Sequence, residues 1–309
     1  MASPPALFDR ALHRRRLDRA AARHGEADFL KTRAAEDIVH RLEPIMRRFP
    51  VAVDIGARTG AFARALAESD VAEKIDLLIE TDLSGPMLGG GSGLKVVADE
   101  ERLPLAEASL DLAVSSLALH WTNDVVGALI QVRRALKPDG LFIGAFLGGS
   151  TLTELRQVLM AAEAELAPGV GPRVSPFADA PDGAALLQRA GFALPVADVD
   201  RITVRYAHPL KLMADLRRMG ETNVLIDRPR HRLTRKVLAR AFELYAERFS
   251  APDGRIRATF EILTLTGWVP HESQQKPLAP GSAKMRLADA LHTVEQSAGE
   301  KAGSKPEEN

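Results

Sequence analysis

Apolar and polar positions along the chain switch repeatedly between two periods. Short runs dense in Val, Ile, Leu and Ala occupy 51–55, 75–79, 94–97, 109–116 and 141–147, and longer mixed runs occupy 195–206 and 256–268. The first reads as a buried parallel strand and the next four as further strands, with 94–97 only weakly apolar. Between them apolar residues recur every three or four positions. In 28–48 these are Phe29, Leu30, Ile38, Val39, Leu42, Ile45 and Met46; in 124–136 they are Val125, Leu129, Val132 and Leu136. Both patterns predict helices. The first is kinked near its end by Pro44, packs on the sheet and has no chemistry of its own. The second is stopped by Pro138, with Gly140 allowing the turn into the next strand. Further helices are expected over 152–166, 182–190, 208–219 and 230–249. Strands alternating with helices define an α/β class with a doubly wound, mostly parallel, seven-stranded sheet. The division expected is 1–48 as N-terminal helices, 49–206 with 251–274 as the core, and 207–250 as a helical lid inserted over the sheet edge. Residues 275–309, rich in Pro, Gly, Ser, Lys and Glu, are expected to be a flexible tail.

The core is organised around Val51-Ala-Val-Asp54-Ile-Gly56-Ala57-Arg58-Thr-Gly60-Ala-Phe. A buried strand meets an acid and two glycines, and a helical pattern starts at once. Gly56 can take backbone angles costly for other residues and lets a ligand approach the main chain. The helix beginning near Gly60 presents free N–H groups to the same crevice. By itself this reads equally as an ordinary strand-to-helix turn. The ends of the next two strands favour a binding crevice: the second strand runs into Glu80-Thr-Asp82-Leu83-Ser84, and the third into Ala98-Asp99-Glu100. An acid at the end of a second strand is placed to accept hydrogen bonds from ribose hydroxyls. The fourth strand ends at Ser115-Ser116 and leads to His120-Trp121.

Composition narrows the function classes. Among 309 residues, 41 basic balance 41 acidic, so no global field favours nucleic acid or an anionic membrane. The absence of cysteine excludes disulfides, thiolate metal sites and thiol catalysis, and fits a reducing compartment. No apolar run approaches the roughly 18–20 residues of a membrane span, and the start lacks a secretory pattern. A cytoplasmic protein is expected. The Arg-rich segment 7–24 has three readings. An organelle presequence is opposed by Asp9 and Asp18, and a nucleic-acid arm lacks a supporting basic surface elsewhere. The favoured one is a helix folded over the crevice or docking a partner.

Asp54-x-Gly56-x-x-x-Gly60, Asp82-x-Ser84-x-x-Met87-Leu88, Asp99-x-x-x-Leu103-Pro104 and Leu136-Lys-Pro-Asp-Gly140 together resemble the class I S-adenosyl-L-methionine-dependent methyltransferases, over about half the chain. The resemblance implies a Rossmann-like fold and that cofactor. It puts the methionine part on Asp54, Gly56 and Gly60, the ribose on Asp82 and the adenine on Asp99, with Ala57, Leu83, Glu100 and Ser116 beside them. Arg58 departs from the family, which usually has glycine there; its side chain either swings to solvent or narrows the pocket.

Further segments resemble a narrower group, the methyltransferase-like assembly factors of respiratory complex I. They include Phe8-Asp-Arg10, Leu119-His120-Trp121-Thr-Asn-Asp124, Gly148-Gly-Ser-Thr-Leu-x-Glu154-Leu-Arg156, Ser175-Pro-Phe177, Met219-Gly-Glu221-x-Asn223 and Gly267-Trp-x-x-His271-Glu-Ser-Gln274. This resemblance, with the chain as a bacterial member, implies hydroxylation of an arginine on a complex I subunit. The alternatives are a conventional methyltransferase of a small-molecule, acyl-carrier or protein substrate, and a non-catalytic assembly chaperone. His120 is either a general base or a packing partner of Trp121. An arginine substrate calls for carboxylates and aromatics, for which Glu154, Glu221, Tyr206 and Trp268 are candidates. The spacing of His24-Gly-Glu26 fits half of an iron site but is better explained by chance, and no metal is assigned.

Overall fold

The computed structural model describes residues 6–90, 93–275, 285, 287–290 and 292–294. Residues Met1–His271 form one compact unit and Glu272–Asn309 a second. In the first, the elements are α1 Arg10–Ala20, α2 Phe29–Leu42, β1 Val51–Ile55, α3 Ala61–Ala67, β2 Leu77–Asp82, β3 Leu94–Val97, β4 Leu110–Ser116, α4 Val125–Ala135, β5 Leu136–Leu147, α5 Thr153–Leu166, α6 Ala180–Ala190, β6 Ala193–Tyr206, α7 Pro209–Arg218, α8 Arg235–Phe249 and β7 Ile256–Trp268. The second contains α9, Leu287–Ala290. Most of the residues expected to form a flexible tail lie outside those described.

The seven strands form one sheet in the order β3-β2-β1-β4-β5-β7-β6. The pairs from β3 to β5 are parallel, and β7 lies antiparallel to both β5 and β6. This is the Rossmann-like arrangement the motif order predicts. Helices cover both faces. Leu30, Ile38 and Leu42 of α2, Phe62 of α3, Val158 of α5 and Leu244 of α8 pack on one side. Leu129 and Val132 of α4 and Leu187 of α6 pack on the other. Double cover explains why β1 and β4 are dense in apolar residues apart from Asp54, Asp111 and the closing Ser115-Ser116. The strand order reverses between β1 and β4, which opens a crevice at their carboxyl ends.

Local differences from the pattern reading have physical causes. Helix α2 ends at Leu42 without a kink: Glu43 still holds helical angles (φ -54, ψ -51), but Pro44 has no N–H with which to continue the ladder. Strand β5 starts at Leu136 and takes in Pro138; the left-handed residue is Asp139, at φ 62, not Gly140. Strand β2 is shifted later, so Asp82 is its last residue.

The turn after β1 is fixed by the protein's own packing. Gly56 has φ +73, and a Cβ there would lie 2.1 Å from Ala118 Cβ. The Gly56 and Ala57 N–H groups both donate to the Thr81 carbonyl at 2.8 Å, and Ser115 Oγ donates to the Ile55 carbonyl at 2.8 Å. Gly56→Ala should therefore destabilise the fold by roughly 2–4 kcal/mol, from overpacking plus a strained positive φ. Adding Ala118→Gly should recover the overpacking share only. Urea midpoints of the single and double variants check this; full recovery would mean that φ carries no cost.

Candidate functional site

The crevice concentrates buried charge. Asp54 of β1 is fully buried and neither of its carboxylate oxygens has a hydrogen-bond partner. Burial pushes it up to about 7, against the pull of Lys31. Lys31 enters from α2 and donates to the Gly56 carbonyl at 2.7 Å and to the Ser116 carbonyl. Burial lowers it to about 8, with Asp54 opposing. The Ser116 hydroxyl and one oxygen each of Glu80 and Glu100 are also buried without partners.

Two arginines hold the acids expected to take the cofactor. Arg58 is buried, not turned to solvent, and stands at φ 53, a conformation that favours glycine. Its Nη1 donates to Asp82 Oδ2 at 2.7 Å and its backbone N–H to the same oxygen at 2.9 Å. Nη1 also lies 3.9 Å from Glu100 Oε1. Arg10, on the first turn of α1, donates from Nη2 to Asp99 Oδ1 at 2.7 Å and to Glu100, and from Nη1 to the Trp121 carbonyl at 3.1 Å. Leu83 packs under α1 with Leu17, Ala20 and Met87. Helix α1 thus folds over the crevice. The cavity left among His24, Lys31, Arg58 and Glu221 is about 30 Å³. Gly60, at φ +77, sits over Glu80, whose Oε1 would be 2.9 Å from a Cβ there.

Beside the crevice lies a chamber of about 190 Å³. Leu152, Leu155, Phe177, Met213, Leu216 and Phe260 are among its walls, and Trp121 and Glu221 also line it. Leu30, Leu147, Met219 and Glu221 border both cavities, so the chamber adjoins the crevice. Glu221 Oε2 accepts from Trp121 Nε1 at 2.6 Å and lies 3.4 Å from His120 Nε2. Burial works against ionising Glu221, but the hydrogen bonds from His120 and Trp121 and the charge of Arg58 outweigh it and hold its carboxyl below the ordinary range. Trp121 also packs edge-on against Phe8 at 5.2 Å and beside His13 at 5.1 Å between ring centres.

The structure brings His120, Trp121 and Glu221 together, but not Glu154. Its carboxylate, at the start of α5, accepts from Thr259 Oγ1 at 2.5 Å and from Thr259 N–H at 3.0 Å, which pins α5 to β7. Trp268, the last residue of β7, pairs with Leu141, six residues before the carboxyl end of β5 and so away from the crevice. Tyr206 is buried at the end of β6 with its hydroxyl unpartnered. Pattern reading gave α2 no chemistry, yet Lys31 reaches the centre of the crevice. The available signal was a lysine on the stripe of Leu30, Ala34, Ala35 and Ile38, all buried.

A family model described as a methyltransferase domain matches residues 53–144. The chain is 39% identical over 290 residues to the Danio rerio protein named arginine-hydroxylase NDUFAF5, mitochondrial, covering 92% of this chain and 89% of the relative. The Homo sapiens protein of that name is 40% identical over 290 residues, with 92% and 83% covered. The chain belongs to the NDUFAF5 family. The malonyl-[acyl-carrier protein] O-methyltransferase of Halorhodospira halophila (strain DSM 244 / SL1) is 34% identical over 269 residues, covering 84% of this chain and 88% of the relative. Among solved structures, YcgJ from Bacillus subtilis superposes with a TM-score of 0.52 at 16% identity, over 77% of this chain and 98% of that one, which speaks for the fold. This NDUFAF5-family chain is therefore an enzyme-family member built on a methyltransferase domain. No described helix is long and apolar enough to cross a membrane.

Asp54 gives a test of the crevice electrostatics. Its unfolded value is near 3.9 and its folded value about 7. Between these limits the folded state binds more protons, so the Asp54 contribution to stability falls as pH rises and levels off above about 7. His24, held at about 4 by burial, works in the opposite sense over part of this range, so the comparison must be a difference. Asp54→Asn should gain melting temperature relative to the unaltered protein as pH goes from 5 to 8. A constant gap across that range would contradict the burial of Asp54.

Proposed function

We propose that this chain binds S-adenosylmethionine and hydroxylates an arginine side chain of a partner protein, a respiratory complex I subunit, in the cytoplasm, with the inserted oxygen atom drawn from an external two-electron oxidant. The observation that carries the arginine reading is Glu221: an ionised carboxylate, and among the described residues the one carboxylate, on a chamber walled mostly by apolar side chains, where Arg173 is already paired with Glu163 and Arg217 lies beside Thr222. An arginine side chain matches that environment. Its methylene stem lies along Leu152, Leu155 and Phe177, and its guanidinium meets a carboxylate already oriented by Trp121. The named relatives at about 40% identity are arginine hydroxylases.

The donor set fits the cofactor. Both oxygens of Asp54 are buried and unpartnered, as is the Ser116 hydroxyl, and an ammonium group such as that of the methionine part would satisfy them. Asp82 would take the ribose hydroxyls in exchange for Arg58, and Asp99 and Glu100 the adenine in exchange for Arg10. Gly56, Ala57, Gly60 and Leu83 complete the cradle. When bound, the cofactor would supply a sulfonium centre. His120 orients the Glu221 carboxylate through Nε2 and leaves Nδ1 unpartnered for a proton. Residues 207–250 contribute Glu221 and the walls Met213 and Leu216, which supports reading them as the part that receives the substrate.

Cofactor binding should raise the melting temperature by mass action. Arg58→Gly, which frees Asp82 and relaxes the positive φ, should enlarge that rise, and Asp82→Ala should abolish most of it. No rise at millimolar cofactor in any of the three proteins would remove the cofactor from the proposal.

The reaction is tested by mass. One added oxygen is roughly 16 Da and one methyl roughly 14 Da, whichever groups bind the cofactor. Complex I subunits from cells carrying Glu221→Gln should lack an oxygen-sized increment on one arginine that is present with the unaltered protein. A missing methyl-sized increment would point to methyl transfer instead. Unchanged masses with failed complex I assembly would leave only a chaperone role.

A further inference from the structure

Helix α1 with the turn after it and helix α7 face one another across a cleft of about 620 Å³. Arg16, Arg19 and Arg23 line one side and Arg217 and Arg218 the other, with Ala20, Ala214 and Thr222 between them. Among the described residues, no carboxylate lines it. The separation is set by close packing: Gly220, at φ +79, lies so near α1 that a Cβ there would be 2.7 Å from Leu17 Cδ2. The Arg-rich segment 7–24 thus faces a second basic wall that is distant in sequence.

Nearby counter-charge is small. Glu26 meets Arg23 at 2.8 Å and Arg218 at 3.0 Å, and Asp215 meets Arg218 at 2.8 Å. Arg16 is held by Thr222 Oγ1 at 2.9 Å and by the Asn223 carbonyl. Five guanidiniums less two carboxylates leave three positive charges. Arg19 and Arg217 are exposed and have no ion pair among the described residues. Facing like charges cost stability unless an anion offsets them. Burial, with Arg228 and Arg19 nearby and Asp9 opposing, lowers the hold of Arg16 on its proton.

The cleft adjoins the chamber. Arg217 and Thr222 line both, and Thr222 follows Glu221 in the chain. We propose that the cleft grips acidic side chains flanking the target arginine of a polypeptide substrate, while that arginine passes the Arg217–Thr222 rim to reach Glu221. This rests on the arginine reading above and adds selectivity: the protein favours an arginine with Asp or Glu close by in sequence. Nucleic acid is a poorer match. The chain as a whole carries 41 charges of each sign, and tracking a phosphate backbone takes an extended basic surface, not a short cleft.

The test uses the full chain and dye-labelled peptides with a central arginine, read by fluorescence anisotropy. Peptides with flanking Asp and Glu should bind roughly tenfold more tightly than those with Asn and Gln, the scale of one or two partly desolvated ion pairs. The margin should shrink in high salt. Arg19→Glu with Arg217→Glu, both at exposed positions, should remove it without lowering the melting temperature. Equal affinity of the two peptides for the unaltered protein overturns the proposal. So does tighter binding of inorganic phosphate or a short oligonucleotide, which would make the cleft a phosphate site. Replacing the central arginine by alanine separates the two readings. If the margin persists but arginine itself adds nothing, the cleft stands and the chamber reading falls. If Glu221→Gln weakens arginine binding while the acids add nothing, the chamber stands and the cleft falls.

Discussion

Burying a charge without a partner is among the costliest things a fold can do, and this crevice buries several. Asp54, Glu80, Asp82 and Glu100 are all inside, and Lys31 and Arg58 are inside with them. Much of the surrounding architecture follows from that constraint. Lys31 ties α2 to the loops after β1 and β4 through the Gly56 and Ser116 carbonyls. Arg58 ties the turn after β1 to the end of β2 through Asp82. Arg10 ties α1 to the segment after β3. Three elements that share little local sequence are thus held at one point by electrostatics, while the apolar clusters beneath set their general position.

Those links explain what pattern reading could and could not reach. The central strands were visible because burial makes them dense in apolar residues; β3 and β7 fall on the expected boundaries, 94–97 and 256–268, although β3 is an edge strand with Leu94 and Val97 exposed. The Asp54, Asp82 and Asp99 positions were visible because each stands at or just beyond a strand end, where the backbone itself aims a side chain into the crevice. Lys31, Arg10 and Arg58 were harder. Their contacts span 89 residues for Arg10 with Asp99 and 85 for Lys31 with Ser116, and no local period encodes such a pairing. Arg58 alone offered a warning, a bulky cation where the turn favours glycine, and its burial against Asp82 is the pocket-narrowing outcome.

Glu154 and Glu221 show why residue type alone does not define a site. Both are acids at the carboxyl edge of the sheet, and both were candidates. Glu154 satisfies a backbone N–H and a hydroxyl of Thr259, so it secures a helix start to a strand. Glu221 follows Gly220, whose positive φ ends α7 against α1, and that turn directs it to Trp121 and His120. The difference lies in which partners the local backbone offers, and only the assembled packing reveals it.

Helix α1 joins these themes. Its first turn carries Arg10, which holds Asp99 and Glu100, and its last two turns carry Arg16 and Arg19, which wall the basic cleft. A ligand that takes Asp99 and Glu100 for itself must first separate them from Arg10, so its apparent affinity is reduced by the fraction of molecules in which they are already free. Whatever shifts α1 to free them also shifts the cleft wall, since Leu17, between Arg16 and Arg19, is packed against Gly220. Linkage is reciprocal: an anion that stabilises one position of α1 changes the affinity of the crevice by the same factor by which the crevice ligand changes the affinity of the cleft. The two sites are therefore coupled through one rigid helix, with the sign of the coupling set by whether the anion prefers α1 seated or displaced.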